Sequence, residues 1–356
     1  MAYFLMANKY TIMTSKYPKN CSILITGVAG LLGYNFANWL LTHTKHHVIG
    51  VDAMYEWGNH NEVNPNLHYD FHQLDLTKDY EEFDNIVKQN NVKIIYHFAS
   101  YAAEGLSPFM RRFNYMQNII ATSTVINSAI ANDCKLIFTS SMSVYGHGRG
   151  EYPHNFKETD WQVPIDPYGI AKYSIEQDLS VAADQHGLKW VIIRPHNVFG
   201  IGQNVNDRYR NVLGIWMHQI VKGEPITIYG DGEQERAFTY IDNILEPLYA
   251  VIDPQYDYEV INLGGIKGMT LNEACEVVKK VTGYDNVVHL EARHEVKRAI
   301  PDPSHSIDLF GYMDKVSFEE GVRKMWNWVK LERKVKDWYV WDTFELDKGI
   351  YSYWKK

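Results

Sequence analysis

From residue 22 onward, short apolar runs alternate with longer amphipathic stretches. Ser22–Thr26, His47–Val51, Val92–Tyr96, Leu136–Thr139 and Trp190–Ile193 are nearly continuous in apolar, mostly β-branched residues and predict buried strands. Leu31–His43, Tyr80–Asn90, Phe113–Asn132 and Tyr168–His186 repeat their apolar residues every three or four positions and predict helices. Strand then helix, repeated, predicts an α/β fold with a doubly wound parallel sheet. After Arg194 the texture changes. Residues 197–238 carry six glycines and predict a helix at about 209–222, loops, and the short strand Ile226–Tyr229. The run Glu259–Leu263 predicts a strand that returns to the main sheet.

The expected organisation has four parts. Residues 1–20 are an N-terminal extension, because Asn8 and Lys9 interrupt its apolar start too early for a signal segment. Residues 21–194, with about 240–265 returning, form the sheet domain. Residues 195–239 and 266–330 form a smaller, discontinuous C-terminal lobe. Residues 331–356 are an aromatic-rich tail, expected to pack back on the body. Nine aromatic residues fall between Trp326 and Trp354, but Glu332, Asp337, Asp342, Glu345 and Asp347 argue against a membrane-binding face.

Composition narrows the function. Of 356 residues, 35 are Lys or Arg and 43 are Asp or Glu, a net charge of -8 that argues against a nucleic-acid partner. No apolar run approaches a membrane span. Cys21, Cys134 and Cys275 form no disulfide framework, so a reducing, cytoplasmic setting is expected. No metal is expected, and the His43, His46, His47 cluster reads as a solvated turn.

Thr26, Gly27, Gly30 and Gly33 form T-G-x-x-G-x-x-G between a strand and a helix. In a dinucleotide fold of the Rossmann type the first glycine makes the turn, the second admits a pyrophosphate, and the third packs helix on strand. The helix N-terminus at Leu31 and Leu32 would supply N–H donors to the phosphates. Asp52, 19 residues after Gly33, suits the adenosine ribose hydroxyls. The absence of a cation from Ala53 to Trp57 favours NAD over NADP. Asp75-Leu76 suits the adenine amine, with a turn or helix-cap role as the alternative for Asp75.

Tyr168 and Lys172 stand one helical turn apart. A neighbouring ammonium and an oxidised nicotinamide would lower the phenol's pKa, so that Tyr168 takes a proton from a substrate hydroxyl as hydride leaves. Lys172 would also hold the nicotinamide ribose. The hydroxyl partner comes from Thr139–Gly146; Ser141 is preferred, and Ser140 and Ser143 stay open.

These residues together resemble the nucleotide-sugar epimerase/dehydratase branch of the extended short-chain dehydrogenase/reductase superfamily. The motifs are Thr26–Gly33, Asp52, Asp75-Leu76, His97–Ser100, Asn118, Ser140–Gly146, Tyr168 with Lys172, Arg194–Gly200, Ile226–Gly232 and Arg236–Tyr240, spread over about residues 21–330. The resemblance implies an NAD-dependent enzyme that epimerises a nucleotide-diphosphate sugar, expected at C4 of a UDP-hexose with a GDP-sugar open. A net C4 oxidoreductase, a non-catalytic cofactor-binding module and another epimerised carbon are the alternatives. It also implies that Phe98, Ala99, Ser100, Asn118 and Pro195 lie at the cofactor, and that Asn197, Arg236 and, nearby, Asn211 meet the substrate diphosphate.

Departures from the pattern matter. Met142 and Ser143 occupy the positions of the dehydratases' acid pair, and decarboxylases usually carry a glutamate at the second. Neither reaction is therefore expected. Arg293-His-Glu295 shortens the family's late arginine motif, and Arg293 and Glu295 are expected at phosphate and ribose. His196 replaces an aromatic residue and is either a proton donor or a packed ring. Ala299 stands where a bulky gate would limit the sugar's C2 substituent. A homodimer is expected through helices at about 105–132 and 168–186, with Met116, Ile119, Ile120, Thr124 and Ile126 as contacts, although they could instead cover the sheet.

Overall fold

The computed structural model describes residues 20–64, 66, 68–148, 154–331 and 335–355. The expected N-terminal extension, apart from Asn20, and Glu332 lie outside the described residues.

Seven parallel strands form the central sheet, in the order Val260–Gly264, Trp190–His196, Lys135–Thr139, Val92–His97, Ser22–Thr26, His47–Asp52 and Tyr69–Gln73. The first strand in sequence lies inside the sheet, so the winding direction reverses beside it, between Ser22–Thr26 and Val92–His97. Side chains alternate between the two faces. Ile23, Ile25, Tyr96 and Ile137 join Phe36 and Leu40 of helix Leu31–His43 on one face. Leu24, Ile95, Leu136 and Phe138 join Phe83, Val125, Ile175 and Leu179 on the other. The expected return of Glu259–Leu263 is observed as Val260–Gly264 pairing with Trp190–His196. Outside the main sheet, strand Glu235–Ala237 pairs with Gly268–Thr270 and with Arg298–Ala299.

Two helices differ from expectation. The stretch Phe113–Asn132 is helix Arg111–Tyr115, a π-helical turn Met116–Ile120, and helix Ala121–Ala131. The helix expected at about 209–222 is Val212–Lys222, because the Asn211 carboxamide accepts the Leu213 N–H and caps it. Helix Pro167–His186 is capped by Asp166 with Pro167 in its first turn, and it ends at left-handed Gly187. Of the expected dimer contacts, Met116 and Ile120 are exposed, whereas Ile126 is buried over the sheet and Thr124 donates to the Leu76 carbonyl. Ile170 and Val181, on Pro167–His186, are exposed as well.

His46 departs from the solvated-turn expectation. Its ring is buried between Cys21 and Tyr249, 3.1 Å from the Cys21 carbonyl and 3.3 Å from the Tyr249 hydroxyl. His47 pairs with Asp70 at the surface. All three cysteines are buried and free. Among the described residues no group of His, Cys, Asp or Glu is placed to hold a metal ion, and no helix is long and apolar enough to cross a membrane.

The tail packs back as expected. Tyr339 bridges to Asp207, and the Glu345 carboxylate accepts the backbone N–H groups of Arg112 and Phe113. Trp354 is buried against Phe109 and Tyr209. One aromatic cluster thus joins the tail to residues 101–113 and to Tyr209.

Candidate active site

Where the winding reverses, a cleft of about 690 Å³ opens at the carboxyl ends of the strands. Gly27 and Gly30 form its floor. Gly27 has φ +69°, and a Cβ there would lie 2.6 Å from the Ala99 nitrogen. A Cβ on Gly33 would lie 2.3 Å from the Gly27 carbonyl oxygen, so this glycine sets the closeness of helix and turn. No side chain caps the helix at Gly30, which leaves its first N–H groups for an anion. The side chains of Leu31 and Leu32 pack into the core and are not part of the cleft lining, so only their backbone can serve a ligand.

Asp52 ends its strand with one carboxylate oxygen 3.0 Å from the Ala29 nitrogen and the other 3.0 Å from the Met54 nitrogen. It therefore braces the glycine turn while lining the cleft. Burial raises its pKa, and the Met54 and Ala29 N–H groups oppose the rise. Asp75 and Leu76 line the same region, with Tyr55. Burial pushes the Asp75 carboxyl up, but Lys78, Tyr55 and Thr77 together hold it down at about 2. Phe98, Ala99 and Ser100 form the opposite wall. Asn118 is not part of that wall. It lies behind it, buried in the π-helical turn, and its side-chain oxygen accepts the Ser100 hydroxyl at 2.6 Å.

The three serines after strand Lys135–Thr139 are told apart by their partners. Ser140 donates to Glu176, which forms a buried two-point ion pair with Arg194. Ser143 lies 2.6 Å from Ser141 and donates to Glu104 at 2.5 Å. Ser141 is the one of the three whose hydroxyl, with that of Ser100, acts to lower the Tyr168 phenol's pKa. Tyr168 is buried, and burial followed by the Glu104 carboxylate raises its pKa above the ordinary value. The lowering expected from a neighbouring ammonium is therefore not observed in the protein alone. Lys172 is turned to other partners: it donates to the Thr139 carbonyl at 2.8 Å, lies 5.7 Å from the Tyr168 ring centre, and burial pushes it down to about 7 against the pull of Glu176. His97, buried between Thr26 and Thr122, is pushed down to about 3 by burial and then by Lys172, and stays neutral.

A second pocket adjoins Ser143 and is lined by Glu104, Met142, Asp166, Arg293 and Glu295 among others. Arg236 and Glu295, both expected at the substrate, form an ion pair at 2.7 Å. The Arg293 guanidinium lies 4.1 Å over the Tyr229 ring. Asn197 adopts positive φ and donates to the Ala237 carbonyl. Asn211 does not stand free for a diphosphate: its oxygen caps the helix and its amide donates to the Val198 carbonyl at 3.0 Å. Ala299 is buried, in register with Arg236. Pro195 lies in strand Trp190–His196, beside Leu263. His196 is a packed ring, pushed down to about 3 mainly by burial, with Asn262 as its partner at 3.5 Å.

Residues 23–264 match the model of the NAD dependent epimerase/dehydratase family. The chain belongs to that family. UDP-glucose 4-epimerase of Thermotoga maritima, solved with UDP-glucose, is 30% identical over 87% of this chain and 98% of its own, with a TM-score of 0.79. UDP-glucuronic acid 4-epimerase of Bacillus cereus, solved with UDP-glucuronic acid and NAD, is 26% identical over 87% and 99%, with a TM-score of 0.77. A UDP-glucuronate 4-epimerase of Thermodesulfobacterium geofontis is 28% identical over 86% and 95%. Decarboxylases and dehydratases align with the chain as well.

NAD is the cofactor of this epimerase/dehydratase family, and the cleft fits it. Bare glycine backbone and an uncapped helix suit the diphosphate, and Asp52 suits a ribose. Arg210 adds a cation that the sequence reading missed. Among the described residues lining the cleft it is the one positive side chain. It pairs with buried Asp207 at 2.8 Å and stacks on Tyr101, yet its buried Nη2 has no hydrogen-bond partner. Glu104 and Asp166 were missed as well. Each is remote in sequence from the serines or hidden before Pro167, so only tertiary folding brings them to the pocket.

Proposed function

We propose that this family member is an NAD-dependent UDP-hexose 4-epimerase. The observation that carries the proposal is buried Tyr168, with Lys172 one turn away and 5.7 Å from its ring centre, together with the glycine-floored cleft. NAD, when bound, would supply the acceptor and donor of a hydride at C4. Ser141 holds the reacting oxygen, and Tyr168 takes its proton and gives it back. The buried phenol needs positive charge nearby to ionise, and the Lys172 ammonium is the chain's own source. Arg236 and Arg293 anchor the diphosphate with fixed guanidinium forks. An anchor remote from C4 leaves the 4-keto sugar free to turn and take hydride on its other face.

Elimination of water is disfavoured in this proposal. Met142 offers a thioether where a proton donor would be needed. Residues 21–194 with 240–265 hold NAD, and 195–239 with 266–330 hold the sugar nucleotide. The exposed Met116, Ile120, Ile170 and Val181 serve a homodimer.

Incubation with UDP-glucose and no added cofactor should give UDP-galactose. Stoichiometric NADH formation instead would replace the proposal with a net oxidoreductase. Tyr168→Phe should lower turnover by about 10²- to 10⁴-fold with bound NAD unchanged. A variant that retains activity would remove Tyr168 from the chemistry.

A further inference from the structure

We infer that Glu104 makes the sugar pocket selective against hexoses bearing a carboxylate, an inference that rests on the nucleotide-sugar proposal above. The pocket has two walls of different charge. The sheet body contributes Glu104, Met142, Ser143 and Asp166, and no cation among the described residues lining it. The loop after Leu290 contributes Arg293 and Glu295, and Glu295 holds Arg236. A diphosphate belongs on the loop wall, which leaves the sugar against the body wall.

Glu104 stands one step from the reacting groups. Ser141 lies 2.6 Å from Ser143, and Ser143 donates to Glu104 at 2.5 Å. Its backbone is held too: the Glu104 carbonyl accepts the Ser107 hydroxyl at 2.8 Å and its N–H at 3.2 Å. The charge of Glu104 already acts on two neighbours, raising the Tyr168 phenol and, with burial, the Asp166 carboxyl to about 7. A sugar carboxylate in the same space would meet the same field.

The reaction geometry removes any escape by orientation. To change configuration at C4 with one hydride position, the ring must show both faces in turn. The groups on C3 and C5 then exchange sides. A carboxylate at C6 therefore meets the body wall in at least one half-reaction. A neutral hydroxymethyl group or an ammonium has no such conflict, since Glu104 can accept from either.

The test is calorimetric binding of UDP, of UDP-glucose and UDP-galactose, and of UDP-glucuronate and UDP-galacturonate to the NAD-loaded protein, to Glu104→Gln and to Asp166→Asn. In at least one C4 configuration the unsubstituted protein should bind the carboxylate sugar at least about tenfold more weakly than its neutral counterpart, a difference of about 1.4 kcal/mol. Glu104→Gln keeps an acceptor for Ser143 and should shrink that ratio about fivefold or more, with UDP affinity unchanged. Equal or tighter binding of both carboxylate sugars, each against its neutral counterpart, by the unsubstituted protein overturns the inference. So does a ratio that neither substitution alters while UDP still binds. Should Glu104→Gln fail to fold, Asp166→Asn, which keeps the helix cap, supplies the comparison. Failure of UDP itself to bind the unsubstituted protein would instead sink the nucleotide-sugar proposal.

Discussion

Gly30 and Gly33 stand three residues apart in one turn, yet alanine should act on them in different ways. A methyl at Gly33 would lie 2.3 Å from the Gly27 carbonyl oxygen and 2.6 Å from the Val28 Cα. Favourable contacts need roughly 3.5–4.0 Å, and both obstacles are backbone, so helix Leu31–His43 must retreat from the turn by about 1 Å. Overpacking of this kind costs about 3 kcal/mol, or roughly 4 °C in Tm. A methyl at Gly30 meets a single atom at 3.1 Å, and its extended φ of -75° suits alanine. Its stability should change by less than about 1 kcal/mol, helped by a stiffer unfolded chain. That methyl, however, enters the floor of the cleft where the diphosphate would approach. Urea unfolding of nucleotide-free chains and calorimetric titration with NAD separate the effects. Gly33→Ala should unfold early, whereas Gly30→Ala should fold normally and lose about tenfold or more in NAD affinity, as expected for about 1.4 kcal/mol of lost contact. Equal destabilisation by both, or full NAD affinity in folded Gly30→Ala, would refute the division of labour.

Arg210→Met should weaken NAD binding about tenfold and destabilise the chain by about 3 kcal/mol, because buried Asp207 loses its partner. Adding Asp207→Asn should restore stability but not affinity; recovery of both would show that Arg210 serves the fold alone. Burial, then Glu104, raises the Asp166 carboxyl to about 7, so the native chain holds a proton that the unfolded chain has released. The stability from Asp166 is therefore whole below about pH 4 and lost as pH rises through about 7, by at most about 4 kcal/mol. Asp166→Asn should flatten this slope in unfolding experiments from about pH 5 to pH 8; an unaltered slope would assign it to other groups.

Much of the site is legible in the sequence where its causes are local. The alternation of Ile23, Leu24 and Ile25 between two faces, the glycine turn and the one-turn spacing of Tyr168 and Lys172 need only backbone geometry. Ser141 was preferred on position, but only the structure shows Ser140 committed to Glu176 and Ser143 to Glu104. Asn211 looked like a ligand and is a helix cap, since a carboxamide before a helix serves backbone first. The Tyr168 pKa was misjudged because the Lys172 charge is weakened by burial and the nearby Glu104 is invisible in the motif. Arg210 escaped notice because its partner Asp207 and its stacking ring Tyr101 come from different segments.

The aromatic tail gives the protein an optical readout of its own. Trp57 lines the cleft, Trp341 donates to the Tyr101 hydroxyl beside it, and Trp354 abuts Gly105. Indole emission overlaps the absorption of reduced nicotinamide but not of the oxidised form. Fluorescence from these three tryptophans should therefore dim whenever hydride resides on the cofactor and recover when it is handed back. A stopped-flow trace, free of any added dye, would then show whether the two half-reactions balance within a single turnover.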